Sequence, residues 1–182
     1  MRDGLDKALG RARTLLSSCP CEYAEIRLSA STGTTIALSG AQVETFSSGD
    51  TIGGSVRVLN NGAWGFISFN DLDGIEGCFR RGLEISSSLT LREKSRIRRS
   101  AAVRRSFATP MKRDFTGVSL EEKFNLISAY NKILRSSPKI QTTRALYRDV
   151  TSYYVYLNSE GSELAYDRAY CGVQLSSVAR DG

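Results

Sequence analysis

The sequence predicts an α+β fold of two helix-plus-antiparallel-strand units joined by a basic linker. Three observations favour this class. Apolar residues at helical spacing open each half of the chain. Segments that alternate with a period of two, bounded by turn residues, follow each helix. A run of arginines and lysines with few apolar residues separates the halves, so the predicted domains are 1–88, the linker 89–116, and 117–182.

The first half is predicted to begin with an amphipathic helix that Pro20 ends. The apolar stripe of this helix is Leu5, Ala8, Leu9, Ala12, Leu15 and Leu16. The strands that follow are predicted at 23–29, 34–38 and 42–46. Next comes a hairpin with its turn at Asn60-Asn61-Gly62, because Asn and Gly tolerate a positive φ. Asn70 or Asp71 can then cap a second helix, whose apolar residues are Leu72, Ile75, Phe79 and Leu83.

The second half is predicted to begin with a helix at Ser119, because Ser119-Leu120-Glu121-Glu122 has the form of a capping box. Its apolar stripe is Leu120, Phe124, Ile127, Tyr130 and Leu134. Strands are then predicted at 142–147, 152–157, 163–166 and 172–179. The order of elements is similar in the two halves. This similarity leaves open either an internal repeat or a chance likeness between two α-then-β patterns.

The positive charge of the chain is concentrated in the linker. The net charge is +6. The segment from Arg92 to Arg113 holds nine basic residues and one acidic residue, so it contributes +8 and the remainder of the chain contributes −2. The sequence has no apolar run near the ~20 residues that span a bilayer. Its first residues also lack a secretory apolar core, so we expect a cytoplasmic protein without a membrane partner.

The four cysteines are Cys19, Cys21, Cys78 and Cys171. The spacing in Cys19-Pro20-Cys21 is too tight for an ordinary zinc knuckle, and no matching pair follows it. We therefore expect free thiols in a reducing compartment, with a metal or redox role as the alternative.

The segment from Ile52 to Phe66 carries the most specific pattern in the chain. A glycine-led strand is followed by an Arg-Val strand and then by Asn-Gly-Ala-Trp-Gly-Phe. This order resembles the N-terminal region of the TldD/PmbA family, with its TldD branch the nearer match. Further blocks that resemble family sequence are found at 118–123, 158–161 and 178–182. Members of the family are similar to zinc metallopeptidases that trim peptides, and were once described as modulators of DNA gyrase.

The resemblance implies a non-catalytic region that forms the peptide cleft and pairs subunits. Family members hold zinc with a His-Glu-x-x-x-His helix, whereas this chain has no histidine. We therefore expect no catalytic and no metal residue in this chain, no cofactor of its own, and zinc only in a downstream C-terminal part. The expected partners are a peptide substrate and a family member, in a homo- or hetero-dimer.

Asn61, Gly62 and Trp64 are the residues that we assign to an open sheet edge where a peptide could add as a strand. The alternative for Trp64 is packing in the core, since large aromatic residues are mostly buried. The alternative for the glycine is a turn or a close strand contact.

Two other functions remain as alternatives. A stand-alone module could bind a peptide, or nucleic acid through the basic linker. Nucleic acid is the weaker partner, because no aromatic residue interleaves the arginines before Phe107 and no nucleic-acid motif is present. A self-standing enzyme is disfavoured, because the sequence has neither a histidine-based pair nor a phosphate-binding glycine loop.

A hairpin turn at Asp181-Gly182 leads to a prediction about the parent gene. The equivalent Asn61-Gly62 is followed by a return strand, so we expect this chain to be an N-terminal piece. The DNA after Gly182 is then expected to encode a return strand and a His-Glu-x-x-x-His helix. Sequencing that DNA tests the expectation, and a natural stop codon with no such helix encoded beyond it would contradict it.

Overall fold

The computed structural model describes residues 2–89, 91 and 93–180, with side chains from Gly4 onward. Six strands form one sheet in the order β3-β2-β1-β5-β6-β4. The sheet is mostly antiparallel, although β4 runs parallel to β6, and the α+β class is confirmed. The elements in chain order are α1 (Arg2–Ser17), β1 (Tyr23–Ser39), β2 (Gln42–Asn60), β3 (Ala63–Phe69), a 3₁₀ turn (Leu72–Gly74), α2 (Ile75–Ser88), β4 (Arg104–Phe107), α3 (Leu120–Leu134), β5 (Ile140–Asn158) and β6 (Glu163–Ala179).

By spatial contacts the chain forms two compact units. Unit 1 takes its described residues from 1–31, 51–108 and 152–167, and unit 2 from 32–50, 109–151 and 168–182. This division differs from the sequential one because β1, β2, β5 and β6 each contribute residues to both units. The sequence boundaries at 88 and 117 stay a prediction.

The strands are longer than the sequence pattern indicated. The predicted strands 23–29 and 34–38 belong to one strand, β1, and the strands predicted after α3 merge in pairs into β5 and β6. No turn interrupts β1 at 30–33, because the small residues there stay extended against β5. The Ser31 hydroxyl donates to that of Ser152 at 2.8 Å. Gly33 lies so close to the Asp149 carbonyl oxygen that a Cβ would be 2.9 Å from it.

The core of unit 1 lies between one face of the sheet and the helices α1 and α2. Alternate residues of β1 point into this core, as the period-two pattern predicts. The buried apolar residues include Leu5, Ala8, Ala12 and Leu16 of α1, Ala24, Ile26 and Leu28 of β1, Val56 and Val58 of β2, Ile75 and Phe79 of α2, and Val155 and Leu157 of β5. The helix stripes predicted from spacing are therefore the faces that pack.

The start of the second helix is set by Asp71. Its side chain accepts a hydrogen bond from the Asp73 N–H at 2.9 Å and caps the 3₁₀ turn that leads into α2. One of the two predicted caps is thus confirmed. The helix then crosses β3, where Gly65 meets the backbone of Gly82 and Ser86. A side chain at 65 would collide with the Gly82 carbonyl oxygen, so this glycine is needed for close contact between helix and strand.

Unit 2 is built around α3, and its predicted capping box is confirmed. The Ser119 hydroxyl accepts from the Glu122 N–H, and the Glu122 carboxylate accepts from the Ser119 N–H at 3.0 Å. The buried core residues are Ile36 and Leu38 of β1, Ile127 of α3, and Ala145 and Tyr147 of β5. Among the described residues, unit 2 contains one helix and unit 1 contains two helices and a 3₁₀ turn, and an internal repeat is not confirmed. The predicted turn at Asp181–Gly182 lies outside the described residues.

The basic linker contains a strand that the sequence analysis did not predict. Arg104–Phe107 forms β4, which pairs in parallel with Glu163–Tyr166 of β6. The local sequence has no clear alternation, and β6 supplies the hydrogen-bonding edge on which β4 forms. These four residues lie within the segment 89–116 that the sequence analysis assigns to the basic linker.

Two of the cysteines are not free thiols, which corrects the expectation from spacing. Cys19 and Cys21 form a disulfide, since the turn at Pro20 brings their Cα atoms to 5.3 Å, within the range that a bridge allows. Cys78 and Cys171 are free.

The contact between Gly65 and α2 leads to a matched pair of stability predictions. Gly65→Ala is expected to lower the free energy of unfolding by about 2–3 kcal/mol, because the new Cβ forces α2 away from β3. Gly77→Ala on the exposed side of the same helix meets nothing within 4 Å. It is expected to raise the free energy of unfolding by up to about 1 kcal/mol through helix propensity. Urea denaturation measures both, and an equal effect of the two variants would contradict the close-contact role of Gly65.

Candidate functional site

The candidate site lies in unit 1, on the sheet face opposite α1 and α2. The alternation that sends Ala24, Ile26 and Leu28 to the core places Tyr23, Glu25 and Arg27 on this face. Six residues from four strands form what we call the Glu25 cluster: Tyr23, Glu25, Arg27, Arg57, Trp64 and Tyr156.

Glu25 is the buried centre of the cluster, with 7% of its side chain exposed. Its Oε1 accepts from Arg57 at 3.2 Å and pairs with Arg27 at 3.3 Å. Its Oε2 accepts from the Tyr23 hydroxyl at 3.0 Å. A buried carboxylate is costly without such partners, so these contacts explain how an acid occupies a central strand.

The two tyrosine hydroxyls form a hydrogen-bonded network with the Glu25 carboxylate. The Asn158 amide donates to the Tyr156 hydroxyl at 3.2 Å, and the two tyrosine hydroxyls are 2.7 Å apart. Both hydroxyls also lie within hydrogen-bond distance of the Glu25 Oε2, at 3.0 Å for Tyr23 and 3.4 Å for Tyr156, and the carboxylate can only accept. Burial, followed by the hydrogen bond with Tyr156, raises the pKa of Tyr23 well above its ordinary value. Tyr23 therefore keeps its proton. The stabilisation of the folded state that is linked to this raised pKa is fully present below the ordinary tyrosine pKa, and it is lost as the pH rises from that value through the raised one.

An aromatic ring lies against the guanidinium group of each of the two arginines. The Arg57 guanidinium lies 4.3 Å from the centre of the Trp64 ring, and that of Arg27 lies 5.5 Å from the centre of Tyr156. Trp64 also meets Tyr23 edge to face at 6.0 Å. With one carboxylate and two guanidinium groups, the cluster keeps a net charge of +1. It thus offers cationic donors fixed against aromatic faces.

A cavity of about 800 Å³ adjoins the cluster in unit 1. Its wall includes Arg27, Tyr154, Tyr156 and Tyr166, and the last of these stacks on Tyr154 with ring centres 5.1 Å apart. Gly54 forms part of the wall, and a Cβ there would be 2.5 Å from the Arg27 carbonyl oxygen. The wall thus combines aromatic rings, one arginine and a stretch of bare backbone.

The three residues predicted at a sheet edge have different environments. Asn61 is exposed at the hairpin turn with a φ of 51°. Gly62 is buried with a φ of 78°, its N–H donates to the Glu22 carboxylate at 3.2 Å, and its carbonyl accepts from the Ser95 N–H at 2.9 Å. Trp64 is half-buried and joins the Glu25 cluster, so it is not a plain core residue. The structure brings only Trp64 to this cluster, and the role of all three as a peptide-cleft edge stays a prediction.

Sequence reasoning did not identify Glu25, Arg27 and Tyr156 as site residues. The signal was present in the alternation of Tyr23-Ala24-Glu25-Ile26-Arg27, which places three polar or aromatic residues on one face. The pairing of β1 with β5 was not readable from the sequence. This pairing brings together tyrosines that are 133 positions apart.

Unit 2 holds a second buried polar group around Asp149. Its Oδ2 lies 2.7 Å from the Lys123 Nζ and accepts from the Tyr147 hydroxyl at 2.6 Å, while its Oδ1 accepts from the Thr34 N–H. Burial and the hydrogen bond to Asp149 raise the pKa of Tyr147. These contacts tie α3 to β1 and β5, and we assign them a structural role.

The residues of this chain do not fit a catalytic zinc. The sequence contains no histidine. In the part of the chain that the structure describes, no three cysteine or carboxylate side chains converge on a metal-sized space. None of the described helices is long and apolar enough to cross a membrane. The fold and the site together define an α+β domain whose described residues hold no cluster of zinc ligands.

Comparison with known families agrees with the sequence resemblance. A profile described as PmbA/TldA metallopeptidase domain 1 matches residues 24–86, and one described as the PmbA/TldA metallopeptidase central domain matches residues 113–182. Together the two ranges cover well over half of the chain. The chain belongs to the TldD/PmbA family.

Individual relatives are similar to this chain over most of its length. A metalloprotease of Synechocystis is 32% identical, with a match that covers 88% of this chain and 35% of the relative. A metalloprotease of Methanocaldococcus jannaschii is 29% identical, with coverages of 88% and 36%. The chain thus spans about a third of the length of these curated relatives.

Solved structures share the fold. A protein of Bacteroides thetaiotaomicron described as a modulator of DNA gyrase has a TM-score of 0.77 and 18% identity, and the match covers 96% of this chain and 41% of that one. TldE of Thermococcus kodakarensis has a TM-score of 0.69 and 13% identity, with coverages of 98% and 40%.

Glu25 holds both Arg27 and Arg57, and this leads to a prediction for Glu25→Gln. Glutamine keeps the volume but removes the charge that holds both guanidinium groups. Because those groups are half exposed and can regain water, the expected loss is only about 1–2 kcal/mol in the free energy of unfolding. The fluorescence of Trp64, the only tryptophan, should change as Arg57 is released.

Glu84→Gln is the matched control, because Glu84 pairs with Arg81 on the exposed surface of α2. Its effect on stability is expected to stay within about 0.5 kcal/mol, with no change in Trp64 emission. Equal stability of the two variants, or unchanged emission in Glu25→Gln, would show that Glu25 does not position Arg57.

Proposed function

We propose that this chain is the N-terminal, non-catalytic region of a TldD/PmbA-type zinc metallopeptidase, where it forms part of the peptide cleft and pairs subunits. Catalysis is assigned to a part of the protein outside this sequence, which supplies the zinc ligands. The whole protein is proposed to act in the cytoplasm, in proteolysis and the maturation of peptides, as a homo- or hetero-dimer with a family partner.

The observation that carries this proposal is the sheet face of unit 1. One face is filled by α1 and α2, while the other carries the Glu25 cluster and, beside it, Phe66 with 57% of its surface exposed. The arginines are held in position before any ligand arrives, since Glu25 and the aromatic rings fix them. Such preorganised groups lower the entropic cost of binding a chain that is itself disordered.

The chemistry of the face favours an extended peptide as the ligand. Arginine donors can bind peptide carbonyl oxygens and carboxylates, and the rings of Trp64 and Tyr156 can stack on side chains. The groups present supply binding and orientation. The sequence offers no histidine to activate a nucleophile or to bind zinc, so we derive no chemical step from this chain.

Titration of the purified chain with an unstructured peptide tests this function, using Trp64 emission to detect binding and mass spectrometry to detect cleavage. We expect saturable binding and an intact peptide, with or without added zinc. Phe66→Asp should weaken binding about tenfold, because it places a charge on the proposed contact face.

Ile133→Asp is the matched control, since Ile133 is an exposed apolar residue of α3 in unit 2. It should leave the affinity unchanged. Chelator-sensitive cleavage by the chain alone would overturn the non-catalytic assignment. Equal weakening by both variants, or no binding at all, would overturn the assignment of this face to peptides.

A further inference from the structure

Strand β4 forms an edge of the sheet in unit 1, in the most basic part of the chain. It pairs on one side with β6, in the register Arg104↔Glu163 to Phe107↔Tyr166. The strand order ends at β4, and among the described residues no strand pairs with its other side. The Glu25 cluster lies on other strands, so this edge is a separate surface.

The direction of the backbone groups of β4 follows from the parallel ladder. The Val103 carbonyl accepts from the Glu163 N–H at 2.8 Å, so the polar groups of Val103 face β6. The backbone N–H and C=O groups of successive residues in a strand point in opposite directions. The N–H and C=O groups of Arg105 and Phe107 therefore also face β6. The N–H and C=O groups of Arg104 and Ser106 therefore point away from the sheet, where they can pair with an added strand.

The chain segment that contains this edge carries charge of one sign. Residues 94–107 contain six basic residues and no acidic residue: Lys94, Arg96, Arg98, Arg99, Arg104 and Arg105. All six side chains are exposed. In the described contacts, Arg99 lies 4.0 Å from the Glu160 carboxylate, and Arg104 donates to the Gly161 carbonyl oxygen at 3.1 Å. The segment therefore keeps most of its positive charge for an outside partner.

Two apolar side chains flank the arginines of β4. Val103 is 45% exposed and Phe107 is 53% exposed. An edge strand that carries arginines normally resists pairing with another basic or neutral strand. A strand of opposite charge removes this repulsion, and the flanking apolar residues add contact area.

We propose that β4 is a docking edge for an extended acidic segment of another polypeptide, which adds to the sheet as a further strand. The outward groups of Arg104 and Ser106 provide the main-chain hydrogen bonds, and the surrounding arginines select carboxylates. Nucleic acid fits less well, since it would leave the main-chain groups of the edge without strand partners. This proposal does not depend on the function assigned to the Glu25 cluster.

The test uses two labelled peptides of equal charge and length. One alternates glutamate with threonine, and the other has proline at every threonine position, so it keeps its carboxylates but cannot form a strand ladder. Fluorescence anisotropy on the purified chain should show binding of the first that weakens with salt, and binding of the second that is at least about tenfold weaker.

Three variants separate hydrogen bonding from charge. Ser106→Pro removes an outward N–H without changing the charge, and proline is tolerated at an edge where the N–H faces away from the sheet. Arg105→Glu reverses a charge of β4. Each should weaken binding about tenfold, whereas Arg80→Glu, the same charge reversal on the exposed surface of α2, should change it less than about twofold. Circular dichroism confirms that each variant is folded.

Several results would overturn the proposal. Equal affinity for the two peptides, or unchanged binding by Ser106→Pro, would show attraction by charge alone. Tighter binding of a single-stranded oligonucleotide than of the glutamate peptide would assign the edge to nucleic acid. Self-association that Ser106→Pro abolishes, measured by light scattering, would assign it to a second copy of the chain.

Discussion

The alternation of side chains along Tyr23 to Leu28 of β1 is the constraint on which the rest of unit 1 depends. Ala24, Ile26 and Leu28 are almost fully buried under the helices, which obliges the intervening residues to occupy the opposite face. A one-residue slip in register would send Glu25 into the apolar core and expose Ile26. Packing on one face therefore fixes the position of the charged cluster on the other.

The Glu25 carboxylate sets the arrangement of the side chains on this second face. The free-energy cost of burying this carboxylate is offset by contacts with two arginines and a tyrosine hydroxyl. Because they share one carboxylate, these three groups restrict each other's orientation. Buried ion pairs contribute little net stability on average, but they fix geometry, since each group has few alternative partners. The result is a face whose arginines and aromatic rings are positioned by the fold itself.

Glycine contacts set the distances between elements. Gly65 allows α2 to approach β3, and Gly54 allows β2 to approach the backbone of β1 beside the cavity. At Asn61 and Gly62 the positive φ angles reverse the chain into β3, which delivers Trp64 to the cluster. The block of sequence that carries the family resemblance thus contributes Arg57 and Trp64 to the candidate site.

The sequence alone determined the features that depend on residues close together in the chain. The capping box at Ser119, the cap at Asp71, the turn at Asn61-Gly62 and the apolar stripes of α1 and α2 all follow from local chemistry, and the structure confirms them. The family was also readable, because its pattern of glycine, asparagine and tryptophan lies within one hairpin.

The tertiary structure alone decided which distant segments meet. The continuity of β1 past Gly33 depends on β5, and β4 exists only because β6 offers a partner. The Glu25 cluster joins Tyr23 to Tyr156, and Arg57 to Glu25 across 32 positions. No local pattern encodes these pairings, since their energy arises only when the strands lie side by side and share the burial of one carboxylate.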